Sequence, residues 1–293
     1  MKKIFFVCTI FFSLNYLFAD NLGWDILRKN YSIKDISISN PQDTQNILVH
    51  PSAIRFVEKN ILFFPAEINT LGTYLTGAHF FYNMKSLGIF SGIIYNDIGK
   101  ETFSYIENNQ EKQKEIYLQK DFVYNIGIAK FLKKGKISAA LNLKIANTTI
   151  QDKSSNAFVI DFDLVYKDLI KNLNLSILTQ NIGYASKFLN ESDKLPIMVG
   201  VGSNYSFSFK KLNSNLVVGV FLPYIINYEL QPSLGVEFTK NPIRINLSYN
   251  FTKDDNNLQI GVSTVIKNIE LGYSLIPNKY LGTTHRILLG YSF

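Results

Sequence analysis

The sequence predicts an all-β chain: an antiparallel transmembrane β-barrel of about fourteen strands, preceded by a segment able to plug it. Three observations carry this expectation. Apolar residues recur with a period of two through most of the chain, so that alternate residues fall on opposite strand faces. No apolar run after residue 20 approaches the ~20 residues of a spanning helix. The connections between alternating runs are short at one end and long at the other, as in outer-membrane barrels. With 293 residues, 46% hydrophobic and 18% charged, including 23 Phe and 17 Tyr, the chain is not a disordered one. Its 30 Lys and Arg exceed 23 Asp and Glu by +7, and by +5 once Lys2 and Lys3 are removed, too mild a balance to argue for a nucleic-acid partner.

At the start, Lys2 and Lys3 precede the apolar run Ile4 to Leu14, and Leu17-Phe18-Ala19 follows. This charged, apolar and small-residue order predicts a secretory signal peptide over 1–19, cut near Ala19. Cys8 is the one cysteine and lies inside that run, so the processed chain forms no disulfide and no cysteine metal site. Residues 20–60 contain Trp24, Ile26, Leu27, Ile33, Ile36 and Ile38 scattered among polar residues. They are long enough and apolar enough to fill a barrel mouth, and 61–293 is assigned to the barrel.

Strands are expected at 61–68, 72–83, 86–97, 121–131, 136–147, 156–167, 172–181, 196–208, 214–222, 232–239, 243–251, 258–266, 269–275 and 284–293. Most have the ~9–11 residues that a tilted strand needs to cross a membrane. The clearest is Ile243 to Phe251, where Ile243, Ile245, Leu247, Tyr249 and Phe251 alternate with Arg244, Asn246, Ser248 and Asn250. A half-buried soluble sandwich alternates in the same way. What favours a barrel is the loop pattern: short turns at 84–85, 132–135, 168–171, 209–213, 240–242 and 267–268, and longer loops at 98–120, 148–155, 182–195, 223–231, 252–257 and 276–283. The connection 69–71 breaks the pattern. In or beside the short turns stand Lys85, Lys133, Lys134, Lys136, Lys167, Lys171, Lys210, Lys211, Lys240 and Lys267, opposed there by Asp168. Anionic phospholipid headgroups of the outer membrane and an acidic periplasmic partner both suit such a rim, as does lysine's simple tolerance in a soluble turn. Within the loop 98–120, whose order the sequence leaves open, the run Glu107 to Glu115 is highly charged and reads as mobile.

Charge at mid-membrane depth is costly against lipid, so Lys144, Asp161, Asp163, Glu237, Arg244, Glu270 and Arg286 are expected to face the lumen. A turn centred on Lys240 and Asn241 would set Glu237 opposite Arg244 as an ion pair. Both faces of the second and third strands are apolar, with Tyr74, Phe80 and Tyr82 opposing Leu71, Leu75 and Phe81. Either a greasy pocket lined by Tyr74, Phe80, Tyr82 and Phe90 or plain packing against the N-terminal segment accounts for them. His50, His79 and His285 are far apart, and no metalloprotease, phosphate-loop or nucleophile-elbow motif occurs. No catalytic residue, metal site or cofactor is expected. The one enzymatic arrangement to weigh is a lipid hydrolase with His285 or His79 as base to Ser274.

The last ten residues, Thr284 to Phe293, place Ile287, Leu289, Tyr291 and terminal Phe293 on one face. They resemble the C-terminal strand read by the barrel-assembly machinery, with Tyr291 and Phe293 as its signal. Together with Leu281 to Arg286, Leu271 to Pro277, Gln180-Asn181-Ile182-Gly183 and His50-Pro51-Ser52-Ala53, this end resembles the PorV/PorQ family, which is related to FadL-type fatty-acid transporters. The resemblance implies a fourteen-stranded barrel with the N-terminal segment folded into or under the lumen, and His50, Pro51, Ser52 and Ala53 as its hatch. The chain departs from that pattern in the glycine-free stretch Lys34 to Asn46 and in His50 and Ser52, which replace the usual Asn and Ala. Two functions are implied: passive passage of a hydrophobic or amphipathic small molecule such as a fatty acid, or binding of a secreted protein by the outer loops in a type IX-like secretion system.

Overall fold

The computed structural model describes residues 24–70, 72–107, 110–188, 193–226, 228, 230–252, 257–278 and 282–293. The expected signal peptide and Leu71 lie outside them. The strands in chain order are β1 (Ile61–Asn69), β2 (Tyr74–Asn83), β3 (Gly88–Asp97), β4 (Lys100–Glu107), β5 (Gln110–Tyr117), β6 (Gln119–Lys133), β7 (Ile137–Ile150), β8 (Lys153–Ile170), β9 (Leu173–Ala185), β10 (Met198–Phe209), β11 (Ser214–Ile225), β12 (Ser233–Lys240), β13 (Ile243–Asn250), β14 (Asn257–Ile266), β15 (Ile269–Asn278) and β16 (Gly282–Ser292). All but β4 and β5 form one closed antiparallel barrel of fourteen strands, in which β3 pairs with β6 and β16 returns to β1. The ring closes at Ile61 opposite Ser292, extended by reciprocal backbone bonds between Asn60 and Phe293 at 3.2 and 3.0 Å. Closure leaves no barrel edge for another chain to pair with.

Burial within the strands is inverted relative to a soluble sheet. On β13, Asn246 and Ser248 are 0% and 2% exposed while Leu247 between them is 49% exposed. On β8, Phe158, Ile160 and Phe162 face outward and Asp161 and Asp163 are buried. A continuous outer belt of Ile, Leu, Phe and Val against a polar interior is stable only if the belt meets hydrocarbon, which removes the soluble-sandwich reading. Among the described residues no helix is long and apolar enough to cross a membrane, so the crossing is made by strands.

Three outer connections differ from expectation. Much of 276–283 is ladder, with Pro277 opposite Thr283 and Asn278 opposite Gly282. Strands β7 and β8 continue until a two-residue turn at Gln151 and Asp152, so 148–155 is a hairpin end and not a loop. The segment 98–120 contains β4 and β5, a ribbon that prolongs the β3–β6 pair through backbone bonds joining Ile98 to Gln119 and Leu118 to Gly99. Alternation is lost there because both faces meet water, yet the backbone ladder does not depend on it. At the other end the β12–β13 turn is Asn241-Pro242, with Lys240 opposite Ile243. Proline offers no N–H to a ladder and so takes the turn. The register therefore moves Glu237 opposite Asn246 and Arg244 opposite Thr239, and the direct Glu237–Arg244 cross-strand pair does not form.

Residues 24–57 run lengthwise inside the ring of strands. Trp24, Ile26 and Leu27 pack with Leu75, Ile94 and Val123 at the long-loop end, whereas Ile47, Ala53 and Ile54 pack with Phe63, Phe81 and Phe90 lower down. Short 3-10 turns at Asp25–Arg28, Thr44–Leu48 and Pro51–Phe56 shape the path, with Asp43 capping the second and Pro51 opening the third. Ile33, Ile47 and Ile54 are fully buried, each contributing about 1.5–3 kcal/mol. Small wall residues make the approach possible. A Cβ on Gly219 would stand 1.9 Å from the Ser37 carbonyl oxygen, and one on Gly272 would meet Ile33 at 2.3 Å.

Candidate functional site

The N-terminal segment is fastened unevenly. On the β12–β1 arc, Lys34 contacts both Asp43 and Glu237, and Arg244 bonds Asp43 at 2.6 Å and Glu270 at 3.2 Å. Thr44 and Gln45 donate to the two oxygens of Glu270 at 2.6 and 2.7 Å. Lys29 and Arg286 share Glu67, at 2.8 and 2.7 Å. Neutral amides add backbone holds: Gln259 donates to the Ile33 carbonyl at 2.6 Å and Asn204 to that of Ser39. Burial alone would push the Asp43 carboxyl up, but the Arg244 guanidinium and Lys34 ammonium hold it below its ordinary value of 3.8. Burial likewise lowers Lys34, and Asp43 with Glu237 more than offsets it, leaving the ammonium raised above 10.5.

Against the other arc, β2 to β11, the segment leaves a cavity of about 290 Å³. Its apolar wall includes Ile47, Leu48, Phe81, Phe90, Leu178 and Phe221; its polar side is Asn125, Asn142, Lys144 and Gln180. Pro223, Gln231 and Thr252 carry the lining up to the long-loop end. The charges along it are mutually satisfied. Lys144 lies 2.7 Å from Asp161, which also accepts from Asn142 at 3.0 Å; Asp163 holds His50 Nδ1 at 2.7 Å and the Ser52 N–H at 2.9 Å. The lumen thus offers a ligand an apolar surface with a few amides, and no unpaired charge among these groups.

All seven lumenal charges from the sequence point inward, and each meets a partner. Of the four proposed lining residues, Phe90 borders the cavity and stacks on Phe81 at 6.0 Å. Tyr74, Phe80 and Tyr82 do not: they sit on the outer face, 43%, 40% and 41% exposed, because even-numbered positions of β2 face lipid and the odd ones, Leu75, His79 and Phe81, face in. In the hatch, His50, Ser52 and Ala53 are buried and Pro51 touches the cavity. Tyr291 and Phe293 are exposed on the outer belt, where Phe293 stacks on both Tyr291 and Phe80. The hydrolase arrangement is not assembled around Ser274 and His285: Ser274 is buried inside while His285 bonds Tyr273 on the outside at 2.6 Å. Among the described residues no three His, Cys, Asp or Glu side chains could hold a metal ion.

The motif Gln180 to Gly183 proves to be a break in the wall. Ile160 pairs with Ile182 and Phe162 with Thr179, so Gln180 and Asn181 together oppose the single residue Asp161. Asn181 takes φ 63°, a left-handed conformation that Asn tolerates. Its N–H donates to Asp161 at 2.9 Å, its side-chain amide to the carbonyls of Leu27 and Pro196 at 3.2 and 3.1 Å, and its side-chain oxygen accepts from Lys144 at 3.2 Å. Gly183 follows because a Cβ there would lie 1.9 Å from the Phe158 carbonyl oxygen. The β9–β10 ladder stops at the Gln180–Met198 rung, and among the described residues Asn181 to Ala185 have no partner on β10. Sequence reading singled out Asn181 as part of the Gln180–Gly183 motif but gave it no role, and it missed Lys34, Asp43 and Glu67. Of those three, Glu67 alone carried a visible signal, an acid at the inward parity of β1 after Ile61 and Phe63.

No family model matches the sequence, nor does any curated protein sequence. Among solved structures, the P. putida toluene transporter TodX superposes with a TM-score of 0.55 at 8% identity, over 90% of this chain and 99% of that one. Acinetobacter baumannii Omp33 gives 0.47 at 10% identity, over 80% and 99%. At such identity the TodX likeness speaks to architecture alone: this chain has the fold of outer-membrane β-barrel proteins.

Proposed function

We propose that this is an outer-membrane barrel of the FadL-like kind, akin to the PorV/PorQ group, exported by a signal peptide cut near Ala19. It passively admits a hydrophobic or amphipathic small molecule such as a fatty acid. The observation that carries the reading is the cavity between the N-terminal segment and the wall. At about 290 Å³ it lies near the lower end of the ~300–1,000 Å³ of small-molecule sites. Phe81, Phe90, Phe221 and Leu178 supply apolar contact, and Asn125, Asn142 and Gln180 supply hydrogen bonds to one polar group. A ligand enters between Arg28 and the outer ends of β11 to β13 and leaves beside Gln180 and Met198, where the β9–β10 ladder ends. The segment around His50 to Ala53 closes the short-turn end, so release into the wall avoids displacing it. The architecture shared with TodX, described as a toluene transporter, is consistent with this.

The test is binding and passage by the full-length protein. Detergent-extracted protein retaining its contents is expected to yield a lipophilic compound on mass spectrometry, and dodecanoate or toluene is expected to displace a fluorescent hydrophobic probe. An empty protein with large stepwise ion conductance in planar bilayers would overturn the reading in favour of a water-filled pore.

A second reading, capture of a secreted protein as in PorV-like components, is favoured by the β4–β5 ribbon, which stands beyond the barrel with Phe103, Tyr105 and Ile106 exposed. Replacing 100–117 with a Gly-Ser linker is expected to leave probe binding unchanged under the first reading and to abolish recovery of secreted proteins under the second.

A further inference from the structure

The turns between β2 and β3, β6 and β7, β8 and β9, β10 and β11, β12 and β13, and β14 and β15 lie at one end of the barrel, the end where Asn60 meets Phe293. Every one of them bears exposed lysine, as at Lys85, Lys133, Lys171, Lys211, Lys240 and Lys267, and among the described residues none of these six is in an ion pair. The acids at this end are Asp168 and Glu58, the latter beside Lys59. At the opposite end the ribbon and loops mix both signs, with Lys100 paired to Glu115.

Four of the six lysines have an exposed apolar neighbour in sequence. Leu132 precedes Lys133, Ile170 precedes Lys171, Leu212 follows Lys211 and Ile266 precedes Lys267, and all four apolar side chains are exposed. Such a pair suits a membrane interface: the aliphatic group lies in the hydrocarbon edge and the lysine stem lifts its ammonium to headgroup depth. The distribution is a ring, one or more lysines per turn around a closed circumference. A soluble acidic partner needs one contiguous patch of roughly 800 Å², whereas an annulus of lipids meets every turn at once. The densest arc is Lys133, Lys134 and Lys136; the backbone N–H of Lys167 on the neighbouring strand end donates to the Lys136 carbonyl at 2.8 Å, while its ammonium lies over the Phe56 ring, 6.0 Å from the centroid.

We propose that this rim binds the phosphate headgroups of anionic phospholipids as an annulus, most tightly at the Lys133, Lys134 and Lys136 arc. The lysines act as point charges on phosphate oxygens, and the adjacent Leu and Ile side chains fix the barrel's depth against the same lipids.

The test uses the full-length protein in phosphatidylcholine bilayers containing trace spin-labelled phosphatidylglycerol or phosphatidylcholine, with the motionally restricted fraction read by EPR. Phosphatidylglycerol is expected to be enriched about threefold or more at low salt, with the preference collapsing near ~1 M salt. Changing Lys133, Lys134 and Lys136 together to Gln is expected to remove about half of that preference, as roughly expected for loss of three headgroup contacts. Lys112→Gln with Lys114→Gln in the outer ribbon is expected to leave it intact. Heat-modifiability on gels verifies that each barrel is folded; should the threefold variant fail to fold, Lys210→Gln with Lys211→Gln, in a separate turn, is expected to lower the preference by itself. Equal association of the two lipids with the wild type, or a preference that survives high salt and the turn variants, overturns the proposal and leaves the ring to a soluble acidic partner.

Discussion

The side-chain amide of Asn181, at a bulge in the barrel wall, donates to the main-chain carbonyl of Leu27 inside the lumen at 3.2 Å. One residue thereby couples the place where the β9–β10 ladder ends to the N-terminal segment packed against the inner wall. It can do so because its left-handed backbone turns the side chain inward, where it also meets Pro196 and Lys144.

Substitutions at Asn181 separate backbone from side chain. Asn181→Gly keeps the left-handed conformation and loses the buried amide bonds, each worth about 1 kcal/mol. Asn181→Ala loses the same bonds and adds about 1–2 kcal/mol of left-handed strain. Thermal unfolding in detergent is expected to rank wild type above Gly and Gly above Ala; equal stability of the two variants would show that the conformation is not costly.

The Lys34–Asp43–Arg244 cluster is expected to hold the segment across the ordinary pH range. Asp43 is depressed in the folded chain, so its contribution is present above 3.8 and is lost as pH falls through its lower folded value. Lys34 is raised, so its contribution is present below 10.5 and is lost as pH climbs through its higher folded value. Trp24 is the one tryptophan and is buried among wall residues, so its emission reports docking. Emission is expected to be constant from about pH 5 to 9, and red-shifted only in strong acid or base.

Removing one partner from this cluster strands the others. Asp43→Ala removes the one carboxylate that Lys34 and Arg244 share, leaving Lys34 with Glu237 and Arg244 with Glu270 alone, and is expected to cost about 3–5 kcal/mol. Three carboxylates, Asp43, Glu237 and Glu270, surround two cations here, so Glu270→Gln balances the charge while Thr44 can still bond its amide oxygen. It is expected to be far milder than Asp43→Ala in the same unfolding assay, because Glu270 meets one cation and Asp43 meets both; the reverse order would show that the shared carboxylate does not hold the cluster.

Cavity and belt residues should differ in function more than in stability. Leu178→Trp places bulk in the cavity and is expected to reduce hydrophobic-probe binding at least tenfold, about 1.4 kcal/mol. Tyr82→Ala, on the lipid face, is expected to leave binding unchanged. A loss with Tyr82→Ala and none with Leu178→Trp would move the ligand site to the outer surface.

Gly219→Val tests the close approach of the segment to the wall. The new side chain collides with the Ser37 carbonyl, so Trp24 emission is expected to shift red while the barrel remains heat-modifiable. An unshifted spectrum would mean that the segment yields locally at Ser37.

By itself the sequence determined the barrel, the inward parity of Lys144, Asp161, Asp163 and Arg286, and the outward parity of Tyr291, because a strand crossing lipid must alternate and the alternation is written residue by residue. Tertiary structure decided what periodicity does not encode. In β2 both parities are apolar, so only the paired neighbours show that Phe81 faces in and Phe80 out. Pro242 moved the β12–β13 register, and the ribbon in 98–120 formed where water on both faces had erased the pattern. The partners of Lys34, Asp43 and Asn181 lie up to two hundred residues away, and only ring closure around the N-terminal segment brings them within bonding distance.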